Sequence, residues 1–372
     1  MFGSRNFLLV KSAAGGGGVG GKLFLWGFNS YGNLGQNDTI NRSSPTQVGS
    51  STTWSKIAVN TGVLAVNTAG QLWSWGQNDT WGQLGLGDTN NRSSPVQVGA
   101  LTNWSNPSNR TTSSFCIKTD GTLWAWGRNA DGELGLGNTT SYSSPKQVGS
   151  LTNWAIINAS FVGYFALATD TAGKLFAWGT NYFGQLGLGD TAYRSSPTQV
   201  GALTNWAIPS GAQNSSMCTK TNGTLWTWGK NNRGQLGQND IIYRSSPTQV
   251  GALTNWATPA HGDSSSLCVK TDGTLWSWGW GNIGRLGLGN TTNYSSPKQV
   301  GSLTNWAVPK FTDASVICLK TDGTIWTWGG YFRGRLGLGN LISYSSPKQV
   351  GSLTTWIVPS AGQASVGCIQ TP

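Results

Sequence analysis

Alternating apolar and polar positions recur along the chain at nearly constant intervals. The segment Leu-Trp-x-Trp-Gly, with small changes, occurs seven times, and its second aromatic residue falls at Trp26, Trp75, Trp126, Trp178, Trp228, Trp278 and Trp328. The period of two within each segment predicts a β-strand. The spacings, 49 to 52 residues, predict one structural unit per repeat.

The rest of each unit supplies three more short strands. An Asp-Gly turn such as Thr271–Thr274 precedes the aromatic strand, and its partner strand, Ser266–Lys270, lies before that turn. The glycine-rich segment Gly-x-Leu-Gly-Leu-Gly reverses the chain direction. The Ser-Ser-Pro-x-Gln-Val that follows predicts a strand with proline at a sheet edge. Four strands per unit describe a propeller blade, so the predicted fold is an all-β, seven-bladed β-propeller of four-stranded blades.

The two ends of the chain predict how the ring closes. The C-terminal segment Cys368–Pro372 matches the strand before the turn, and Gly21–Leu23 begins the strand after it. We therefore expect the C-terminal strand to pair with the N-terminal one and complete the last blade, which removes the exposed sheet edges. Residues 21–372 are predicted to form the propeller.

Residues 1–20 are predicted as an N-terminal extension with a surplus strand and a glycine-rich linker. The candidate strand-exchange segment is Phe7, Leu8, Leu9 and Val10, which resembles Phe115–Thr119. It could add to the sheet edge of a partner. The alternative is a frayed terminus, and the sequence leaves both open.

The composition disfavours an enzyme. Charged residues make up 10%, and the chain has one glutamate, Glu133, and one histidine, His261. These counts cannot supply the usual zinc or di-iron ligand sets, and a catalytic triad could be built only on His261. The sequence predicts no catalytic residue, cofactor or metal site. The five cysteines occupy equivalent places in five units and are predicted to be reduced, buried packing residues.

Membrane and targeting features are also missing from the pattern. No stretch approaches 18 apolar residues, so no transmembrane span is predicted. The apolar part of the N-terminus is too short for a secretory signal, which predicts synthesis in the cytoplasm.

The formal net charge of +11 allows an anionic partner, but the charges follow two loop types. In the first, Asp is followed four residues later by Arg, and we expect an ion pair; the pairs are Asp38/Arg42, Asp88/Arg92, Asp190/Arg194 and Asp240/Arg244. The second carries Asn, Tyr and an uncompensated Lys, at Asn138/Tyr142/Lys146, Asn290/Tyr294/Lys298 and Asn340/Tyr344/Lys348. The difference indicates either an uneven basic face or two equivalent sequence variants.

Variable aromatic and basic residues in the x-Asn-x-x-Gly loops are the candidate contact residues, because loops on a fixed scaffold carry binding function. They are Tyr31, Trp81, Arg128, Tyr182, Phe183, Arg233, Trp280, Arg285, Tyr331, Phe332 and Arg333. The alternative is local packing against the next loop. Basic residues among aromatics could contact phosphates or bases, but no specific nucleic-acid module supports that interpretation.

The motifs Leu-Trp-x-Trp-Gly-x-Asn-x-x-Gly-x-Leu-Gly-Leu-Gly and the later Ser-Ser-Pro resemble the regulator of chromosome condensation repeat family over residues 21–372. The resemblance implies a seven-bladed β-propeller, and the best-known member is an exchange factor for a small GTPase. The chain departs from the family at its Gly-x-x-His-Ser/Thr motif, whose places hold Ser113-Ser114, Ser264-Ser265 and Ala314-Ser315. In character it looks most like bacterial and bacteriophage members.

Together these features predict a non-catalytic propeller that is a structural or adhesion component of a larger assembly. The expected setting is a phage or virus particle, with incorporation into a virion and other protein subunits as partners. An anionic surface or a glycan is a further candidate partner. The alternative functions are an exchange-factor-like regulator of a small GTPase and a glycan-binding module.

Overall fold

The computed structural model describes residues 19–159, 163–363 and 365–371. The predicted strand-exchange segment Phe7–Val10 lies outside the described residues. The described chain forms seven antiparallel sheets of four strands each, which confirms the predicted all-β, seven-bladed propeller.

Blades 2 to 7 each consist of four consecutive strands. Blade 2 contains β3 (Trp54–Val59), β4 (Gly62–Asn67), β5 (Leu72–Gly76) and β6 (Arg92–Gln97), and blade 3 contains β7 (Trp104–Asn109), β8 (Ser113–Lys118), β9 (Leu123–Gly127) and β10 (Tyr142–Gln147). Blade 4 contains β11 (Trp154–Ala159), β12 (Phe165–Asp170), β13 (Leu175–Gly179) and β14 (Arg194–Gln199), and blade 5 contains β15 (Trp206–Gly211), β16 (Ser215–Lys220), β17 (Leu225–Gly229) and β18 (Arg244–Gln249). Blade 6 contains β19 (Trp256–His261), β20 (Ser265–Lys270), β21 (Leu275–Gly279) and β22 (Tyr294–Gln299), and blade 7 contains β23 (Trp306–Phe311), β24 (Ser315–Lys320), β25 (Ile325–Gly329) and β26 (Tyr344–Gln349).

Blade 1 is assembled from both ends of the described chain. It contains β1 (Lys22–Gly27), β2 (Arg42–Gln47), β27 (Trp356–Ala361) and β28 (Ser365–Gln370), in the order β2-β1-β28-β27. Strand β1 pairs with β28 in an unbroken antiparallel register from Lys22 opposite Gln370 to Gly27 opposite Ser365. The predicted pairing of the two terminal strands is confirmed, and it leaves no gap in the ring.

The hydrophobic core lies between blades. One cluster joins Leu64 and Leu72 of blade 2 to Trp104, Cys116 and Trp126 of blade 3, and the other clusters repeat this arrangement around the ring. The second aromatic residue of the aromatic strand is a fully buried tryptophan in every blade. Since each large aromatic buries roughly 150–250 Å², seven copies stabilise a ring that has few charged residues.

The strand order creates a central channel and two unlike faces. The first strands of the blades contact one another in a closed ring, in which β27 meets β3. Antiparallel pairing places the connections after the first and third strands of each blade on one side, which we call the loop face. The Asp-Gly turns and the connections between blades lie on the other side, the turn face. In the described residues the only helical segments are two three-residue 3-10 turns, and no helix there could cross a membrane.

Candidate interaction face

The long loop between the third and fourth strands of a blade is held by a buried asparagine. In blade 5, Asn231 donates from Nδ2 to the Asp240 carbonyl at 3.1 Å and accepts from the Leu236 amide at 2.9 Å. Five blades have this residue, at Asn29, Asn78, Asn129, Asn181 and Asn231, and each is buried. The five loops therefore share these anchoring hydrogen bonds, while the residues around the asparagine vary and the loop of blade 2 is one residue longer.

Blades 6 and 7 depart from this arrangement. The asparagine position holds Gly281 in blade 6 and Tyr331 in blade 7. Each of these loops forms a short 3-10 turn, Asn282–Gly284 or Phe332–Gly334, and Ile283 and Arg333 adopt a positive φ of 61° and 58°. Residues other than glycine rarely adopt a positive φ. This backbone conformation sets the direction in which the side chains of Ile283 and Arg333 leave the turn.

The variable residues of neighbouring loops pair with one another across the blade junctions. The residue just before the loop glycine in one blade meets the residue just before the asparagine position in the next blade. Four junctions bring a cation over an aromatic ring in this way. They are Trp81 with Arg128 at 5.9 Å, Phe183 with Lys230 at 5.1 Å, Trp280 with Arg233 at 5.3 Å, and Phe28 with Arg333 at 4.0 Å, each measured from the cation to the ring centroid.

These junction pairs were missed in the sequence because their two members belong to different units. In the first two pairs the aromatic residue comes first in the ring order, and in the other two the cation does. When the seven units are aligned, neither position therefore holds one constant type of residue. The complementarity becomes visible when the residue before the loop glycine of one unit is compared with the residue before the asparagine position of the next unit.

Several candidate cations are already paired within the protein. Arg128 donates to Asp131 at 2.8 Å and to the buried Glu133 at 2.6 Å. Arg285 is buried, lies 4.2 Å from the Trp280 ring centroid and donates to the Asp313 carbonyl at 3.0 Å. These contacts give both arginines a structural role in holding the loop face together.

Other candidate residues stay accessible. Tyr182 is 70% exposed, and it contacts Tyr193 edge to face with ring centroids 4.9 Å apart. Phe183 lies half-buried beside Tyr243 of the next blade, at 5.6 Å. Arg233 is exposed although it reaches Trp280. This side of the ring therefore presents separate aromatic contacts.

The largest cluster of candidate residues lies where blade 7 meets blade 1. We call Phe28, Tyr31, Tyr331, Phe332 and Arg333 the closing patch. The rings of Tyr331 and Phe332 stack with centroids 5.6 Å apart, and Phe28 packs edge to face against Tyr31 at 5.7 Å. Tyr331 and Phe332 remain 38% and 49% exposed. The patch offers accessible aromatic surface next to a guanidinium.

The two loop types differ in the way the sequence predicts, with one addition. All four Asp/Arg pairs form ion pairs with N–O distances of 2.6–2.7 Å. In the other type, the Asn side chain donates to the tyrosine hydroxyl, at 3.1–3.4 Å. The lysine of that type, expected to lack a partner, lies 5.4–5.7 Å from the tyrosine ring centroid. An aromatic ring carries no net charge, so this cation–aromatic contact supplies no carboxylate partner for the lysine.

The single histidine does not form a catalytic triad. His261 is buried, and its two ring nitrogens lie 2.7 Å from the hydroxyls of Ser215 and Ser266. A triad needs a carboxylate on one of these nitrogens. Burial lowers the pKa of His261 to about 3, so the ring is neutral at pH 7 and acts as a hydrogen-bonding residue of the core.

The cysteines and carboxylates show no reactive or metal-binding arrangement in the described residues. All five cysteines are buried and unpaired with one another. Burial raises the pKa of the Cys116 thiol to about 12, which disfavours the reactive thiolate. Within the described part of the chain, no group of three or more His, Cys, Asp or Glu side chains is placed to hold a metal ion.

Known structures share this fold along nearly the whole chain. Human WBSCR16 superposes with a TM-score of 0.82 at 18% identity, covering 94% of this chain and 99% of that one. Prp20p from Saccharomyces cerevisiae superposes with a TM-score of 0.83 at 19% identity, covering 95% and 92%. At these identities the likeness concerns the fold alone.

Similar sequences occur in larger proteins. Human E3 ubiquitin-protein ligase HERC2 is 27% identical over 202 residues, which cover 53% of this chain and 4% of HERC2. The mitochondrial RCC1 domain-containing protein RUG3 of Arabidopsis thaliana is 31% identical over 211 residues, covering 53% of this chain and 47% of RUG3. The match thus spans less than half the length of each relative.

The family model of the regulator of chromosome condensation (RCC1) repeat matches the chain seven times. The matched residues are 20–61, 69–111, 120–168, 172–215, 222–269, 272–316 and 322–369. The matches cover most of the chain, follow one another around the ring and agree with the seven blades described above. The chain belongs to the regulator of chromosome condensation repeat family.

Proposed function

We propose that this chain is a non-catalytic interaction propeller that binds a protein partner through its loop face, with the closing patch at the centre of the contact. The observation that carries the proposal is the exposure of Tyr331 and Phe332 on a fixed 3-10 turn beside Arg333. Tyrosine and arginine are enriched among the residues that dominate binding energy at interfaces. Residues held rigidly also lose little conformational entropy on binding.

The test is site-specific photo-crosslinking with the full chain in its native source. A photoreactive residue at Phe332 is compared with one at Leu253, which lies on the turn face and is 49% exposed. We expect one defined protein adduct from position 332 and none from position 253. The recombinant partner should then bind F332S at least about tenfold more weakly than the native chain, and it should bind L253S normally. Equal adducts from both positions, or full binding by F332S, would contradict the proposal.

The finer proposal is that the partner is another subunit of a larger assembly, with a phage or virus particle as the setting. It rests on the sequence features that disfavour an enzyme and on the surplus strand predicted at Phe7–Val10. Co-sedimentation of the chain with intact particles through a density gradient tests it. Recovery of the chain only in the free-protein fractions would contradict this setting.

An exchange-factor-like function is the second candidate. It is supported by the shape shared with Prp20p, whose structure was described together with its binding to Gsp1p and histones. Release of a labelled nucleotide from Gsp1p or another small GTPase would be accelerated by the chain under this alternative. We expect no acceleration, since our proposal assigns the loop face to binding alone. A glycan array tests the glycan-binding alternative in the same way.

A further inference from the structure

The central channel of the propeller contains a cavity that the loop-face function does not use. It has a volume of about 380 Å³ and is lined by the seven innermost strands. This size falls in the range of small-molecule sites, roughly 300–1,000 Å³. The lining residues come mainly from the third to sixth positions of each strand, counted from its first tryptophan.

Two lysines line the channel on nearby strands. Lys56 is the third residue of β3, and Lys310 is the fifth residue of β23. Strand β27 lies between these strands in the ring, since it contacts both. No aspartate or glutamate occurs among the residues described as lining the cavity. The two ammonium groups therefore face a cavity without a carboxylate in its wall.

The channel wall lowers the pKa of both lysines by desolvation. Lys310 is nevertheless open to the channel solvent, because the surrounding strands enclose the channel without filling it. A bound anion would offset this desolvation, since an opposite charge nearby favours the ammonium form.

A belt of hydrogen bonds joins neighbouring innermost strands at four of the seven junctions. In each case the side chain of the fifth residue accepts from the amide of the sixth residue of the next strand. The bonds run from the Ala159 amide to Ser108, from Gly211 to Asn158, from His261 to Ser210 and from Val59 to Ser360, at 2.8–3.0 Å.

The belt is interrupted at the other three junctions. One follows β3, whose fifth residue is Ala58, and the other two lie on either side of β23. The fifth residue is Ala260 on β19 and Lys310 on β23. A methyl group cannot accept a hydrogen bond, and an ammonium group only donates. The amides of Phe311 and Ala361, which hold the belt positions on the following strands, therefore receive no acceptor from these residues. Two belt amides in the arc from β19 to β27 therefore lack the side-chain acceptor that is present at four other junctions.

We propose that this arc of the channel binds a small molecule carrying two anionic groups, either phosphates or carboxylates. One group contacts Lys310 and accepts from the interrupted belt, and the other contacts Lys56. The two lysines stand two residues apart in strand position, which corresponds to about 7 Å along the channel at roughly 3.3 Å per residue. This separation favours a molecule with two spaced charges over a single phosphate ion.

The test is isothermal titration of the full chain with inorganic tripolyphosphate, citrate and inorganic phosphate. We expect one binding site per chain for tripolyphosphate or citrate, with weaker binding of inorganic phosphate. The stronger of the first two probes identifies phosphate or carboxylate as the preferred group. Because the contacts are charged, binding should weaken as ionic strength rises.

Matched variants separate the channel from general surface charge. K310M and K56M should each weaken the binding by at least about tenfold, as expected for loss of a hydrogen bond to a charged group. K298M removes a lysine that lies over Tyr294 on strand β22, outside the channel, and it should bind like the native chain. A260S supplies the missing belt acceptor while keeping both lysines, so it should also weaken binding and remains informative if K310M fails to fold. Absence of binding at up to about 10 mM probe, or an equal loss in K298M, would overturn the proposal.

Discussion

The indole N–H of Trp26 donates to the carbonyl of Arg335 at 2.9 Å and so joins strand β1 of blade 1 to blade 7. In each of the other six blades, the buried tryptophan makes the same hydrogen bond to a carbonyl of the preceding blade, at 2.8–3.2 Å. These bonds pair Trp75 with Asn33, Trp126 with Gln83, Trp178 with Glu133, Trp228 with Gln185, Trp278 with Gln235 and Trp328 with Arg285. The closing junction is therefore built like the six others.

Replacement of this tryptophan should cost the same at the closing junction as inside the ring. W26F and W328F each remove an indole hydrogen bond, to the Arg335 and Arg285 carbonyls respectively, and they also open a small cavity. We expect each to lower the free energy of unfolding by about 2–4 kcal/mol, measured by urea denaturation.

The control for these variants is W73F. Trp73 is half-buried, and its indole nitrogen has no hydrogen-bond partner in the structure. The substitution should cost less than W26F or W328F, because no hydrogen bond is lost. A clearly smaller cost for W26F than for W328F would mean that the closing junction contributes less than the junction between blades 6 and 7.

The glycine two residues after each accepting carbonyl should be intolerant of a side chain. Gly237 has a φ of +71°, and a Cβ there would lie 2.7 Å from Nε1 of Trp278. Gly251 has a similar φ of +57° but no atom within 4 Å of a Cβ. Both alanine variants carry backbone strain of about 1–2 kcal/mol, and G237A adds overpacking of about 1–3 kcal/mol. Thermal unfolding of the two variants measures the difference, and equal stability would show that the tryptophan contact is easily relieved.

The single histidine should make stability depend on pH in mildly acidic solution. Burial lowers the pKa of His261 to about 3, against about 6.5 in an unfolded chain. Between these values the unfolded state binds one more proton, so the stability is full above pH 6.5 and falls as the pH decreases. The slope approaches about 1.4 kcal/mol per pH unit.

The H261Q variant isolates this contribution. Glutamine keeps hydrogen-bonding atoms for Ser215 and Ser266 but does not titrate. Urea denaturation between pH 6.5 and 4.5 should show a flatter profile for H261Q than for the native chain. This window lies above the lowered pKa values of Asp38, Asp88, Asp190 and Asp240, whose titration follows only at lower pH. Parallel profiles for the two proteins would exclude His261 as the source.

The blades and their closure could be predicted because each depends on residues close together in the sequence. The Asp-Gly turn, the alternating aromatic strand and the Asp240/Arg244 spacing are all read within one unit. The lysines of the channel could not be predicted, because Lys56 and Lys310 come from different units and line one cavity only when the ring has closed. The loop contacts, such as Phe28 with Arg333, were hidden for the same reason, and the sequence identified their residues without their partners.

The order of the two residues in a junction pair should be reversible. Phe183 precedes Lys230 at one junction, whereas Arg233 precedes Trp280 at the next. Each single substitution, F183K or K230F, should lower the free energy of unfolding by about 0.5–1 kcal/mol by breaking the cation–aromatic contact. The double variant F183K/K230F restores a cation–aromatic contact with the order reversed but not the contact of Phe183 with Tyr243, so its stability loss should be smaller than the sum of the two single losses. Urea denaturation of the four proteins gives the coupling energy, and simple additivity of the two losses would mean that the pair contributes no specific interaction across the junction.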